Sequence, residues 1–492
     1  MESLNCSRSD RSGNGGGLHI VMFPWLAQGH ILPCIELSKR LLDQTNIKIS
    51  IISTPLNIAQ IKLFFKEKEL NLNLLELQLP CVDGLPPGME NTSNLPTHLT
   101  LPFHNAVKEL QKPLEILLGQ IAPDIVIFDH VLCWISKVTL KLKIKSIVFF
   151  THSTAYAGYV FCPARRSESK ESTADGLLKP PADFPFTPSR YRQSEMAALL
   201  PIYTFTYPSG EKFIDLTVDC YYNCAAVAIK SCYELEAKFI DYFQRVTGNT
   251  VIPVGVLLPR PYPVKQIEIH DGMPDCLRWL KNQRPGSVVY VSFGSEYFLS
   301  EKLIEEIAEG LEASLVPFLW VLRLAGYLDE GMDEVKRRVS DSLPRGFESR
   351  VAERGMVVSG WAPQQEILCH PSTGAFVSHC GWSSLMEGLG AGLPLIAWPM
   401  QLDQGLNVEV FVHEFQVGVE VERGSDGSVS RGDICKAVKM VMDEEEGRFV
   451  RSKAAEMGNL FKEKLLEEQG SQNKYVDDLV KLFHRLKLQS KK

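Results

Sequence analysis

The sequence predicts an α/β protein of two doubly wound lobes facing a cleft, each lobe a parallel sheet covered by helices on both faces. Three observations carry this. Short, nearly continuous apolar runs alternate with helical patterns, as strands buried on both faces require. The alternation comes in two series, separated by the cluster Pro253, Pro259, Pro261 and Pro263. The chain has 492 residues, 45% of them hydrophobic, which is enough apolar mass for two cores.

The elements follow in chain order. Residues 1–17, which include Ser12-Gly13-Asn14-Gly15-Gly16-Gly17, read as a flexible leader, and no apolar stretch there suggests a signal peptide. Leu18 to Pro24 is the first strand, and Gly29 opens a helical pattern through Ile31, Ile35, Leu37 and Leu41. Further strands are expected at Ile47 to Ser53, Asp124 to Phe128 and Lys145 to Phe150. Residues 163–197, rich in Ser, Lys, Pro and Arg, break the rhythm and read as a long surface excursion. Ala225 to Ser231 resumes it. The first lobe is assigned residues 18–250, the interdomain linker 251–275 and the second lobe 276–470. The second series has strands at Ser287 to Ser292, Pro317 to Arg323, Met356 to Ser359, Ala375 to Ser378 and Leu395 to Trp398, with a helix from Glu301 to Ala313. A charged amphipathic stretch runs from about Gly447 to the end, and residues 471–492 are expected to pack back on the first lobe. In such sheets ligands bind at the carboxyl ends of the strands, here in the cleft.

Composition narrows the function. A net charge of -7 and a pI near 6.0 do not suggest a nucleic-acid binder, and no Lys/Arg run is long enough to track phosphates. No apolar run reaches membrane-spanning length. The twelve cysteines are scattered. There is no C-x-x-C pair, and Cys220, Cys224 and Cys232 do not make a compact metal knuckle, so a reducing compartment, the cytoplasm, is expected.

The chemistry concentrates in residues 361–404, WAPQQEILCHPSTGAFVSHCGWSSLMEGLGAGLPLIAWPMQLDQ. Trp361 follows a strand and can stack a flat base. His379-Cys380-Gly381-Trp382-Ser383-Ser384 opens a helix whose free N–H groups and dipole suit a pair of phosphates, with His379 and the serines as added donors. Glu387, within that helix, can accept hydrogen bonds from ribose hydroxyls, and Asp403 and Gln404 are of the type that grips sugar hydroxyls. In the first lobe, Pro24-Trp25-Leu26-Ala27-Gln28-Gly29-His30 places His30 at the carboxyl end of a strand. A histidine there can take a proton from an alcohol, and Asp129, at the end of another strand, can orient it. Ser295, in Ser292-Phe293-Gly294-Ser295, can donate to a phosphate at a point where glycine admits close backbone approach.

The 361–404 segment resembles the signature box of the plant family 1 UDP-glycosyltransferases over its full length, and the resemblance extends over nearly the whole chain. It implies the GT-B fold, two Rossmann-like lobes, with the first binding the acceptor and the second the UDP-sugar. It implies that Trp361 stacks the uracil, Ala362 bonds its edge through its backbone, and Gln364 and Glu387 hold the ribose. His379, Ser383, Ser384 and Ser295 would hold the phosphates, Trp382 would belong to the same donor site, and Thr151, Asp403 and Gln404 would contact the sugar. The family commonly has Asn where this chain has Ser383, a shorter donor. His30 and Asp129 match the family's catalytic pair in the contexts Gly29-His30 and Asp129…Trp134. The implied reaction is an inverting transfer without metal or cofactor, since no D-x-D stretch offers an acidic pair, by a protein expected to be a monomer. Gln404 at the end of the box goes with UDP-glucose as donor in similar enzymes. The stretches Met22 to Ile31, Val82 to Glu90 and Ser292 to Ser300 resemble the branch-forming subgroup, which adds a sugar to a sugar already on a flavonoid, terpenoid or steroid. The alternative acceptor is the aglycone hydroxyl itself.

Two rival functions lack the residues they need or predict losses that the sequence does not show. A nucleotide-dependent oxidoreductase needs G-x-G-x-x-G after the first strand, where this chain has PWLAQGH. A catalytically dead nucleotide-sugar binder predicts loss of His30 or Asp129, and both are present.

Overall fold

The structure is a computed structural model that describes residues 17–65, 70–93, 95–168, 173–188, 192–259, 274–326, 331–424, 426–443, 445–466 and 471–489. The expected leader and part of the expected linker, residues 260–273 with Pro261 and Pro263, lie outside the described residues.

Two parallel sheets form the two lobes. The first contains β1 (Leu18–Phe23), β2 (Ile47–Ser53), β3 (Leu72–Glu76), β4 (Ile125–Asp129), β5 (Lys145–Phe150), β6 (Ala226–Ile229) and β7 (Val251–Pro253), in the order β3-β2-β1-β4-β5-β6-β7. The second contains β8 (Val288–Ser292), β9 (Phe318–Leu322), β10 (Gly355–Ser359), β11 (Thr373–Ser378), β12 (Leu395–Ala397) and β13 (Gly418–Glu420), in the order β10-β9-β8-β11-β12-β13. The central strands are buried along their whole length, β4 as Ile-Val-Ile-Phe-Asp and β8 as Val-Val-Tyr-Val-Ser, because helices cover both faces. Strand order reverses between β1 and β4 in the first sheet and between β8 and β11 in the second, and a doubly wound sheet opens its ligand crevice at that switch point. The registers Phe23↔Phe128 and Ser378↔Ser292 bring the carboxyl ends of each pair level.

Two regions differ from the sequence reading. Val251–Pro253, placed at the start of the linker, is an edge strand paired to β6, and Val254, Val256, Leu257 and Leu258 after it are buried. Residues 163–197 are more than a surface excursion. Their described parts contain the helices Arg165–Glu168 and Ala174–Leu178 and the start of Gln193–Thr204. Leu177 and Met196 are buried, and so is Arg165, which donates to Lys179 O at 2.7 Å and lies over the Tyr159 ring. The apolar residues among the polar ones anchor the segment. It also meets the second lobe, where Arg423 pairs with Glu195 at 2.9 Å and Arg192 with Glu420 at 3.3 Å.

The last helix, Ser471–Gln489, returns to the first lobe. Val476, Leu479, Leu482, Phe483 and Leu486 join the core formed by the first helix, Gln28–Leu42, and its sheet. Lys487 donates to Gly17 O at 2.8 Å and to Asp124 Oδ2 at 2.9 Å, so the two ends of the described chain meet. Among the described residues no helix is long and apolar enough to cross a membrane.

Candidate active site

The site begins where β1 and β4 end. The turn after β1 starts the helix Gln28–Leu42, whose third residue is His30, and Asp129 is the last residue of β4, so two adjacent parallel strands deliver them to one place. His30 Nδ1 lies 2.7 Å from Asp129 Oδ2. A carboxylate is an acceptor only, so the Nδ1 proton points at Asp129 and Nε2 carries the free lone pair. The other carboxylate oxygen accepts the Val131 N–H at 3.0 Å. Burial would lower the His30 pKa, but the charge and hydrogen bond of Asp129 outweigh it and hold the imidazole above its usual value. Burial would raise Asp129. The charge of His30 outweighs that as well, and the carboxyl lies well below the ordinary carboxylate range.

Thr151, expected at the transferred sugar, follows β5 and places its hydroxyl 2.9 Å from His30 Nδ1. Buried like Asp403 and Gln404, it also supports the histidine. Two more imidazoles surround His30, and the sequence reading missed both. The His130 ring lies 6.1 Å away, with Nδ1 3.2 Å from Asp129 Oδ1, and the His152 ring lies 5.2 Å away. Burial lowers the pKa of both, so they stay neutral and leave the Asp129 charge to His30. Their signal was adjacency, since each directly follows a residue already singled out.

Among the described residues, His30, Asp129 and His130 bring three ligand-type atoms within 4.8 Å of one another. Both Asp129 oxygens and His30 Nδ1 are committed to hydrogen bonds within the protein, which leaves a poor donor set for an ion.

The second half of the site lies across the cleft. Trp361 follows β10 and the left-handed Gly360, and its indole is 74% exposed, an open flat face in a protein whose other large rings are mostly buried. Ala362, next to it, is buried. Gln364 opens a short helix, accepts from the Tyr290 hydroxyl at 3.2 Å, and donates to Glu387 at 2.7 Å and Ser384 at 3.3 Å. These three expected residues therefore form one polar group. His379 follows β11, flanked by two glycines. A Cβ at Gly294, where φ is +78°, would fall 2.7 Å from the His379 ring, and one at Gly381 would fall 2.5 Å from Nε2. Gly294, expected to admit a phosphate, thus also makes room for the imidazole. Burial pushes the His379 pKa down to about 4, so at neutral pH the ring is uncharged and donates a single N–H. Cys380 adopts φ +61° to turn the chain into the helix Trp382–Gly390. Ser295, after β8, is half-buried.

Trp382 joins the donor-binding residues through its backbone, which hydrogen-bonds the Asp403 carboxylate, and not through its ring. Its ring is 3% exposed and packs against Phe411, and its N–H donates to Lys230 O at 2.6 Å. A large apolar ring at the start of this helix closes the seam between the lobes. Ser383 accepts from Lys230 Nζ at 2.7 Å. Gln404 turns its carbonyl onto the backbone N–H groups of Met400 and Gln401, at 2.8 and 2.9 Å, which leaves its amide N–H groups for a ligand. Asp403 accepts from Asn407 at 2.8 Å, and burial raises its pKa to about 6. Asn407 in turn donates to Cys380 O at 3.0 Å and accepts from Ser153 of the first lobe at 2.7 Å.

Residues 17–259 match the family described as "Glycosyltransferase, N-terminal domain", and residues 276–463 match "UDP-glucoronosyl and UDP-glucosyl transferase". Mogroside IIIx synthase of Siraitia grosvenorii is 36% identical over 442 residues, 89% of each chain. The chain belongs to the plant family 1 UDP-glycosyltransferases. A second relative of this glycosyltransferase, β-D-glucosyl crocetin β-1,6-glucosyltransferase of Gardenia jasminoides, is 37% identical, covering 88% of this chain and 92% of its own. Among solved structures, Phytolacca americana UGT2 in complex with UDP-2-fluoro-glucose and pterostilbene aligns with a TM-score of 0.74 at 25% identity, over 95% of this chain and 100% of that one. The Polygonum tinctorium UDP-glucosyltransferase capable of glucosylating indoxyl aligns with a TM-score of 0.75 at 25% identity, over 96% and 100%. The protein is a GT-B UDP-glycosyltransferase, acting with a UDP-sugar donor and a small-molecule acceptor.

Proposed function

We propose that this UDP-glycosyltransferase moves glucose from UDP-glucose to a sugar hydroxyl of a small-molecule glycoside, with His30 as the base. The His30–Asp129 pair carries the reading of the chemistry. With the proton of Nδ1 directed at Asp129, Nε2 takes the acceptor hydroxyl proton, the oxygen attacks the anomeric carbon, and UDP leaves from the opposite face. One displacement inverts the centre, so an α-linked donor gives a β-glycoside. Trp361 stacks the uracil and Ala362 bonds its edge, Gln364 and Glu387 hold the ribose, and Asp403 with the free amide of Gln404 holds the sugar. His379, Ser295, Ser383, Ser384 and the helix N-terminus face the diphosphate and stabilise the leaving group.

The acceptor reading is supported by polar groups at the cleft beside His30. Thr92 of the first lobe donates to Glu296 of the second at 2.6 Å, and the Glu296 charge acts on His30. Hydroxyl-gripping groups suit a sugar better than a bare aglycone. Relatives point the same way: cyanidin-3-O-glucoside 2-O-glucuronosyltransferase of Bellis perennis, 34% identical, is named for a glycoside acceptor. Matched aglycone and monoglucoside pairs, incubated with UDP-glucose, UDP-galactose, UDP-xylose, UDP-rhamnose and UDP-glucuronate, test both parts. The expected product, by mass spectrometry and NMR, is a glucose on the first sugar. Preferred reaction at the aglycone hydroxyl would refute the acceptor reading, and preference for another donor would refute glucose.

Turnover is expected to continue in EDTA, because the chain has no D-x-D stretch and the leaving group has protein donors. A rate that collapses in EDTA and returns with Mg²⁺ or Mn²⁺ contradicts this.

A further inference from the structure

One charge at the seam between the lobes takes no part in the chemistry above. Lys230 directly follows β6. Its backbone is pinned on both sides, the N–H to Phe150 O at 2.8 Å and the carbonyl to the Trp382 indole at 2.6 Å. The side chain runs into the second lobe at 2% exposure and ends on Ser383 Oγ, 2.7 Å from Nζ, at the second residue of the helix Trp382–Gly390. Ser383 Oγ is the hydrogen-bond partner of this ammonium. The charges that act on it from farther away are Glu387 on that helix, Arg40 and Glu36 on the first helix, and Asp403. Glu36 is bonded to Lys39, Glu387 to Gln364 and Asp403 to Asn407.

A buried ammonium held by one neutral hydroxyl is expensive, because it has lost its water and its carboxylates act on it only from a distance. Ser383 uses one of its three protons and two remain. Nζ thus sits at the first turn of the helix, whose N–H groups also call for an anion. We infer that Lys230 is a ligand of the donor diphosphate, supplied across the cleft by the acceptor lobe, and that it neutralises the departing UDP. This rests on the placement of the diphosphate proposed above. It goes further in making the donor site a composite of both lobes, completed only where β6 meets the helix.

The test is calorimetric titration with UDP and with uridine, which lacks the phosphates. Lys230→Met is expected to weaken UDP by about 10- to 100-fold while uridine changes by less than about twofold, and Lys230→Arg is expected to recover most of the UDP affinity. Should Lys230→Met fail to fold, Lys230→Gln, which keeps a donor for Ser383, carries the same comparison. Unchanged UDP binding overturns the inference. Equal weakening of UDP and uridine also overturns it and makes Lys230 a structural latch. A wild-type protein that binds UDP no better than uridine refutes the diphosphate site itself.

Discussion

Replacing His30 with alanine is expected to lower kcat by about 10²–10⁴-fold, the range for loss of a general base. The acceptor hydroxyl would then have to lose its proton to water. UDP affinity should stay within about twofold, because neither the nucleotide-facing groups of the other lobe nor Lys230 makes a hydrogen bond to His30, whose partners are Asp129 and Thr151. The variant has a second consequence. Asp129 is 1% exposed, and removing His30 leaves its charge buried without its main partner, a change that costs roughly 3–5 kcal/mol in other buried pairs. A lower melting temperature is therefore expected, and UDP titration at a temperature where the variant remains folded separates lost chemistry from lost structure. Near-normal turnover with bound UDP would remove His30 from the mechanism.

Asp129→Asn is the second large effect, an expected loss of about 10²-fold in kcat. The amide keeps the size of the carboxylate but can present its N–H₂ to Nδ1, which favours the tautomer with the proton on Nε2, the wrong nitrogen for a base. The pH profile distinguishes this role from simple packing. In the wild type Asp129 raises the His30 pKa above its usual 6.5, and protonated His30 cannot accept, so kcat/KM should fall on the acid side with an apparent pKa above that value. Without the carboxylate, burial dominates and lowers the histidine pKa. The acid limb of Asp129→Asn should therefore move to lower pH even as the plateau drops. A dropped plateau with an unmoved limb would mean that Asp129 only holds the strand end in place.

The interior of the fold was legible because parallel strands buried on both faces must be apolar throughout. Ile47–Ser53 and Lys145–Phe150 were read to the residue. The strands that went unread, Leu72–Glu76, Val251–Pro253 and Gly418–Glu420, all lie at sheet edges. Edge strands are short and half-solvated, and they tolerate Pro, Gly and Glu, so they lack the apolar run that identifies a central strand. The site was legible in a similar way. His30, Asp129 and the 361–404 box lie at strand ends that the pattern located. Lys230 was not, because 153 residues separate it from Ser383 and only the packing of two lobes joins them. Trp382 shows the converse: its place in the motif was legible, but not that its ring would fill a seam while its backbone reaches Asp403.

The return of the final helix to the first lobe has a consequence for the order of assembly. Residues 17–258 and the helix Ser471–Gln489 share one core, and the second lobe lies between them in the sequence. The first lobe is therefore a clasp that closes last: the apolar face covered by Val476, Leu479, Leu482, Phe483 and Leu486 stays open to water until residues 476–486 have been made, after the whole of the second lobe.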